Sequence, residues 1–361
     1  MDRTVLDLPG YPDAELLYLS RAHVIECLAG VDPVAVTADA LRRHTLGETI
    51  LPDEAYLPWQ TPAGHAARSL GMPGAIHTDD GLALGMKVIN GSLGNPGNGL
   101  ARSQGLLMMF DVETAYPWAV MESAYISALR TAAVTAVGAQ WLGPDPIGRL
   151  AVLGCGTLAQ AHLRLLPSVL GKLTEVSLFD LDPTRSAGLA DALRADPDTG
   201  HLAVAATATA RECVEGADLV LAATITTEGY IAYDWLKPGA LIAHVSLDDV
   251  LPEVVTRADL VVVDDWGLVS HDDRRLLGRM WRAGTLRDAD GAYRPGATPD
   301  PAAARVHGSL GDVIAGRHPG RAAPTDIVLS NPFGMSILDV ALGAVVAGTA
   351  RERGLGLRIP R

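Results

Sequence analysis

Leu150-Ala151-Val152-Leu153-Gly154-Cys155-Gly156-Thr157-Leu158-Ala159 is the stretch on which the fold turns. An apolar run suited to a buried parallel strand enters a glycine-rich turn, and residues 157–170 then read as a helix. This is the G-x-G-x-x-A form of the dinucleotide-binding fingerprint. Gly154 permits the tight turn, Gly156 leaves room for a pyrophosphate to approach the backbone, and Ala159 lets helix and strand pack closely. The helix start, at Thr157 and Leu158, offers free N–H groups to the phosphates. A second apolar run, 176–179, ends at Asp180, 21 residues after Ala159, where an acid accepts from the ribose hydroxyls. Asp180 would repel a ribose 2′-phosphate, and the next cation, Arg185, comes five residues later, so the pattern favours NAD over NADP. The alternative is a glycine turn in a flavodoxin-like domain without a cofactor. The order of strand, turn, helix, strand and acid argues against it.

The fingerprint lies in the middle of a 361-residue chain, a length that suggests two domains. After Asp180 helices and strands alternate: helix 182–195, opened by Asp182-Pro183-Thr184, strand 202–205, helix 210–215, then strands 218–224, 241–245 and 260–263. This spacing predicts an α/β fold, a Rossmann doubly wound sheet inserted between the N- and C-terminal parts of a second, α+β domain. The expected bounds are 144–324 for the NAD-binding domain and 1–143 plus 325–361 for the second. In the N-terminal part, residues 23–29 and 33–43 read as helices and 84–89 and 106–111 as strands. A long helix, 123–141, leads into the fingerprint. Residues 284–305, rich in Gly, Pro, Asp and Ala, read as a surface loop; 327–329 read as a strand and 335–353 as a long helix.

Hydrophobic residues make up 48% of the chain and charged ones 20%, as in a globular enzyme. The net charge of −13 argues against nucleic acid or an anionic membrane as a partner. An anionic substrate must then be drawn by a local group of cations. The three cysteines, Cys27, Cys155 and Cys213, are widely spaced and form no C-x-x-C, so neither a disulfide framework nor a zinc site is expected. Asp2, Asp7, Asp13 and Glu15 interrupt the opening segment, which argues against a signal peptide. The apolar run 340–350 is too short to span a bilayer. A cytoplasmic location is the expectation.

Two cations stand where apolar residues surround them: Lys87 in Leu84-Gly85-Met86-Lys87-Val88-Ile89, and Arg130 in Ala128-Leu129-Arg130-Thr131-Ala132-Ala133-Val134. A buried cation needs a partner. Either each pairs with a protein carboxylate, or each faces a cleft and meets a substrate carboxylate. Arg68 and Arg102 lie nearby in sequence. Asp248-Asp249 follows the strand 241–245, where strand ends face the ligand crevice, and an acid there can act as a general base; Asp248 itself reads as a cap or turn residue. Asp264-Asp265 ends the next strand with the same ambiguity, and Trp266 reads as packing. Thr224 and Ser246, at the ends of two strands, are assigned to the cofactor, as is Gly334. The histidines form no metal-ligand set.

Taken together, Lys87 in its strand, Leu129-Arg130-Thr131-Ala132-Ala133, the central fingerprint, Asp180-x-Asp182-Pro183 and the segment Gly334 to Asp339 resemble the ornithine cyclodeaminase/mu-crystallin family, from about residue 65 to the C-terminus. Tyr116-Pro117, Tyr233-Asp234-Trp235-Leu236, Asp264-Asp265-Trp266 and Asn331-Pro332-Phe333-Gly334-Met335 are similar to the branch that acts on N-(2-amino-2-carboxyethyl)-L-glutamate in diaminopropionate biosynthesis. The resemblance implies a homodimer formed through the second domain, Lys87 and Arg130 on the substrate α-carboxylate, and Asp249 as catalytic acid/base. It implies a pathway feeding a siderophore, a peptide antibiotic or another product. Ornithine cyclodeaminases carry a carboxylate just before the Met-Pro for the distal amine; Arg68-Ser69-Leu70-Gly71-Met72-Pro73 has none. That departure counts against a diamine and suits a further carboxylate, for which Arg68, Lys87, Arg102 and Arg130 are the candidate set. The alternatives are a cyclodeaminase that recycles its NAD, an imine or opine-type reductase, and a crystallin-like binding protein without turnover.

Overall fold

In the computed structural model, which describes residues 15–360, the chain builds two large sheets and a two-stranded one, and crosses between the large sheets twice. Asp2, Asp7 and Asp13 lie outside the described residues. The first part runs β1 (Glu15–Leu19), α1 (Arg21–Leu28), α2 (Pro33–Thr45), β2 (Thr49–Ile50), β3 (Ala55–Gln60), β4 (Ala66–Thr78), β5 (Gly81–Ser92), β6 (Ser103–Phe110), β7 (Pro117–Glu122) and α3 (Ala124–Leu142). The fingerprint then opens β8 (Arg149–Leu153), α4 (Thr157–Val169), β9 (Glu175–Phe179), α5 (Pro183–Ala195), β10 (Ala203–Ala206), α6 (Ala210–Val214), β11 (Leu219–Ala222), β12 (Leu241–His244), α7 (Pro252–Arg257) and β13 (Leu260–Val263). The last part comprises α8 (Trp266–His271), α9 (Leu276–Ala283), β14 (Leu286–Arg287), β15 (Ala304–Arg305), β16 (Gly308–Ser309), α10 (Leu310–Ile314), β17 (Val328–Asn331), α11 (Ser336–Arg353) and β18 (Leu357–Pro360).

Helix starts follow local chemistry. Asp32 accepts from Val34 N at 2.9 Å and Asp182 from Thr184 N at 3.0 Å, each with proline as the first helical residue. The second sheet has the order β10-β9-β8-β11-β12-β17-β13-β16, with every pairing parallel. Its central strands β11, β12, β13 and β17 are buried at every residue, as continuous apolar runs in a doubly covered sheet should be.

Two expectations need correction. The strand read at 327–329 belongs to the second sheet, not to the second domain. Val328 pairs with both Leu241 and Leu260, so β17 is wedged between β12 and β13, and the change-over falls after Asn331 rather than at 325. The segment 284–305 is not merely surface loop: β14 pairs with β15, and Leu286 and Ala304 are buried there.

The first sheet has the order β18-β1-β7-β6-β5-β4-β2, with β3 also on β4, and every pairing but β1 with β7 is antiparallel. Much of it escapes the sequence pattern. Strand β4 contains Pro73, which cannot donate to a ladder. On the side away from β5 a gap is left there, since β3 pairs with residues 66–71 and β2 with Ala75 and Ile76.

One face of this sheet, carrying Gly85, Lys87, Leu107 and Met109, is buried against α11, which also packs on α1, α2 and α3. Helix α3 packs in turn on α4 and so ties the two sheets together. No helix among the described residues is long and apolar enough to cross a membrane.

At Gly343 a Cβ would lie 2.4 Å from Leu107 Cδ2 and 3.2 Å from Met109 Sδ, and both side chains are buried. Gly343→Val should therefore overpack α11 against β6 and lower stability by roughly 1–3 kcal/mol. Chemical denaturation followed by far-ultraviolet circular dichroism checks this, and an unchanged midpoint would show that the interface yields freely.

Candidate active site

Lys87 on β5, Arg130 on α3 and Asp339 on α11 meet between the first sheet and its helices. Lys87 Nζ lies 2.6 Å from Asp339 Oδ2 and 3.3 Å from Ser127 Oγ, and Arg130 Nε lies 3.4 Å from Asp339. Lys87 is 1% exposed and Asp339 0%. So the two misplaced cations share one acid. Two positive charges and one negative leave a net positive charge, the complement of a single ligand carboxylate. The remaining fork of Arg130, Nη1 and Nη2, donates no hydrogen bond among the described residues and lies beside Gly334. A Cβ on Gly334 would come within 2.9 Å of Nη1, and its φ of +103° is a glycine conformation. Asp264 holds that turn by accepting from Phe333 N at 2.8 Å and Gly334 N at 2.6 Å. Burial first, and the charge of Arg130 second, press Lys87 down to about 8 against the pull of Asp339.

Asp249 stands after β12 and is 0% exposed. Thr224 Oγ1 donates to its Oδ1 at 2.6 Å, Tyr230 OH donates to the same oxygen at 3.3 Å, and Ser246 Oγ donates to Oδ2. The hydroxyls of Thr224 and Ser246, assigned to the cofactor from sequence, thus close on Asp249. Burial pushes its carboxyl up, but the imidazole of His244, 3.6 Å from Oδ2, and the hydroxyls of Ser246 and Thr224 outweigh that and hold it below the ordinary carboxylate range. Asp249 is therefore an anion at neutral pH, as a base must be. The Asp249 backbone N lies 2.9 Å from Nε2 of the same imidazole, and His244 Nδ1 lies 2.9 Å from Asn331 Oδ1. His244 and Asn331 were not singled out from sequence as site residues; they meet only because β17 lies beside β12.

Arg68 on β4 and Arg102 just before β6 are half-buried, and neither guanidinium donates a hydrogen bond or pairs with an acid among the described residues. Burial, then the charge of Arg275, lowers Arg68; burial, then Arg68 and Arg275, lowers Arg102. Asp265 caps α8 through Leu268 N at 2.7 Å, and Trp266 packs edge-on against Trp281, with ring centroids 5.0 Å apart. Buried Cys155 has its thiol pushed up to about 12 by burial, which makes it a packing residue and not a nucleophile.

The glycine turn has the form a dinucleotide needs. Gly154 has φ +86° and would place a Cβ 2.8 Å from Ala223 O, while nothing lies within 4 Å of a Cβ on Gly156, an open cradle above the start of α4 at Thr157 and Leu158. Asp180 braces the turn by accepting from Cys155 N at 2.8 Å. Among the described residues no group of His, Cys, Asp and Glu could hold a metal ion.

A sequence model of the ornithine cyclodeaminase/mu-crystallin family matches residues 18–354. The chain belongs to this family. The N-((2S)-2-amino-2-carboxyethyl)-L-glutamate dehydrogenase of Staphylococcus aureus (strain NCTC 8325 / PS 47) is 30% identical over 95% of this chain and 97% of its own length. Among solved structures of similar fold, CmnK superposes with a TM-score of 0.85 at 38% identity, covering 96% of this chain and 98% of that one. An archaeal alanine dehydrogenase dimer with bound NAD does so with a TM-score of 0.80 at 23% identity, covering 96% and 99%. In this member of the ornithine cyclodeaminase/mu-crystallin family, the Lys87–Asp339–Arg130 group and the hydroxyl-capped Asp249 are two buried charged clusters.

The depressed Lys87 gives a pH test. Below about 8 Lys87 is charged and can hold a ligand carboxylate; above it the proton is lost. Affinity for an α-keto acid should fall as pH rises through about 8, by up to about tenfold per pH unit, and Lys87→Arg should abolish the inflection. Calorimetric titration from pH 6.5 to 9.5 checks this, and a flat profile would refute it.

Proposed function

We propose that the protein is an NAD-dependent dehydrogenase that cleaves N-(2-amino-2-carboxyethyl)-L-glutamate oxidatively to L-2,3-diaminopropionate and 2-oxoglutarate. One observation carries the reading: besides a triad with one surplus positive charge there are two half-buried guanidiniums, Arg68 and Arg102, that pair with no acid among the described residues. That is an excess of cations suited to a substrate with several carboxylates, and the Arg68–Pro73 segment offers no acid for a distal amine. The 30% identity to the S. aureus dehydrogenase of that name supports the same substrate.

The cofactor is NAD, held by Gly154, Gly156, Thr157 and Leu158 at the phosphates and Asp180 at the ribose. When bound it accepts hydride from the glutamate Cα. Lys87 and Arg130 hold the α-carboxylate and fix that carbon; Gly334 leaves space for the Arg130 fork. Loss of hydride, and of the nitrogen-bound proton to solvent, makes a ketimine of the substrate. Water adds to its carbon, and the carbinolamine then breaks its C–N bond to release the amine and the keto acid. Asp249 takes up the water proton and returns a proton to the leaving amine. Because Asp249 is closed off, the proton passes through the hydroxyls of Thr224, Tyr230 or Ser246 that cap it. We place the reaction in the cytoplasm, where three free cysteines stay reduced.

The working unit is a homodimer joined through the open face of the first sheet. There Met86, Met108, Val120 and Tyr18 are consecutive cross-strand neighbours, Val88 pairs with Leu106, and Leu106 is 45% exposed. Leu106→Glu should shift the protein to monomer in sedimentation velocity, whereas a dimer that tolerates the charge would place the interface elsewhere.

For the chemistry, Asp249→Asn keeps shape but removes the base, and turnover should fall by about 10²–10⁴-fold with NAD still bound. Wild-type protein given the conjugate should form NADH and 2-oxoglutarate in equal amounts, and should release no ammonia from ornithine. Proline and ammonia from ornithine without net NADH would replace the dehydrogenase by a cyclodeaminase.

A further inference from the structure

Asp248 and Asp249 are adjacent yet serve different partners. Asp248 is 2% exposed and takes two guanidiniums from the start of α9: Arg275 Nη1 lies 2.9 Å from Oδ2 and Arg279 Nη2 lies 3.0 Å from Oδ1. The Arg275 side chain remains 28% exposed and Arg279 is more open, at 44%. Arg68 and Arg102 both feel the charge of Arg275, and Arg102 feels that of Arg68. Three guanidiniums, from β4, the turn before β6 and the start of α9, therefore share one region.

Glu54, whose charge reaches Arg68, is already engaged. Glu54 lies 3.4 Å from Arg274, whose guanidinium also pairs with Asp272 and covers the Tyr56 ring at 4.1 Å. Like charges gathered in a half-buried place disfavour one another unless an anion joins them. The register sets the spacing. Met72 is opposite Lys87, so Arg68, four residues back on β4, is on the same sheet face, about 13 Å along the strand at 3.3 Å per residue.

We propose that Arg275, held by Asp248, completes with Arg68 and Arg102 a subsite for a second carboxylate, and so makes the enzyme select dicarboxylic over monocarboxylic ligands. Asp248 is a positioning residue for Arg275. It adjoins Asp249 in sequence, so the subsite and the base keep a fixed spacing. The inference rests on the reading of Lys87 and Arg130 as the α-carboxylate site.

The test titrates the full-length, NADH-loaded protein with 2-oxoglutarate and with 2-oxobutyrate, which are alike at the keto-acid end and differ in the distal carboxylate. Wild type should prefer 2-oxoglutarate by about tenfold or more. Arg275→Gln should reduce that preference by about 10- to 100-fold, or to none, and leave 2-oxobutyrate binding unchanged. Asp248→Asn should weaken 2-oxoglutarate alone, and Arg279→Gln should change neither. Should Arg275→Gln fail to fold, Arg275→Lys, which keeps the charge but loses the fork, must still lower the preference. Equal binding of the two ligands by wild type, an undiminished preference in the Arg275 variants, or parallel loss of both ligands overturns the subsite. Failure of the dehydrogenase reading looks different: no NADH from the conjugate while the preference and its loss in the variants persist.

Discussion

The ion pair between Lys87 and Asp339 governs this structure. It joins β5 to α11 in a place without water, and Arg130 leans on the same carboxylate from α3. Three elements that are far apart in sequence are thereby fixed at one point. A buried pair contributes little net stability, but removing one partner strands the other, at a cost of roughly 3–5 kcal/mol. Here a lost Asp339 would strand two cations. The group is therefore both a structural pin and a source of surplus positive charge. Asp264 and Gly334 belong to it, since one shapes the turn and the other gives the Arg130 fork its space.

The two carboxylates of the site are prepared in opposite ways. Asp339 is neutralised by cations and made an acceptor with no freedom. Asp249 meets no lysine or arginine; its oxygens are filled by hydroxyl donors, which keep it charged yet can pass a proton on. His244 fixes the backbone of Asp249 and is itself oriented by Asn331. A charge held by dipoles can change its protonation state without dismantling an ion pair, which suits a base, whereas a charge held by cations suits a scaffold.

How much of this was legible follows from what each feature needs. The second sheet was readable because βα alternation and the glycine turn are local, and Asp182 caps α5 as its spacing suggested. The first sheet was less so. Strand β4 carries Pro73, opposite the gap between β2 and β3, and β3 is exposed at every residue, so neither shows the alternation that marks a half-buried strand. Lys87 and Arg130 stood out as charges in apolar runs. Asp339 carries the same signal in Ser336-Ile337-Leu338-Asp339-Val340-Ala341, but its partners lie 252 and 209 residues away, so only tertiary structure shows that one acid serves two cations. Arg275 looks like any arginine at a helix start, and only Asp248 beneath it gives it direction.

The two crossings between the sheets have a mechanical meaning. One lies between α3 and β8, the other in the few residues from Asn331 to Ser336. Two bodies joined at two points turn freely only about the line through them. The second point sits inside the site, with Asn331 behind the Asp249 cage on one side and Asp339 under Lys87 and Arg130 on the other. Any rotation about that line would therefore change the spacing of Asp249 from Lys87 and Arg130 less than that of residues farther from it.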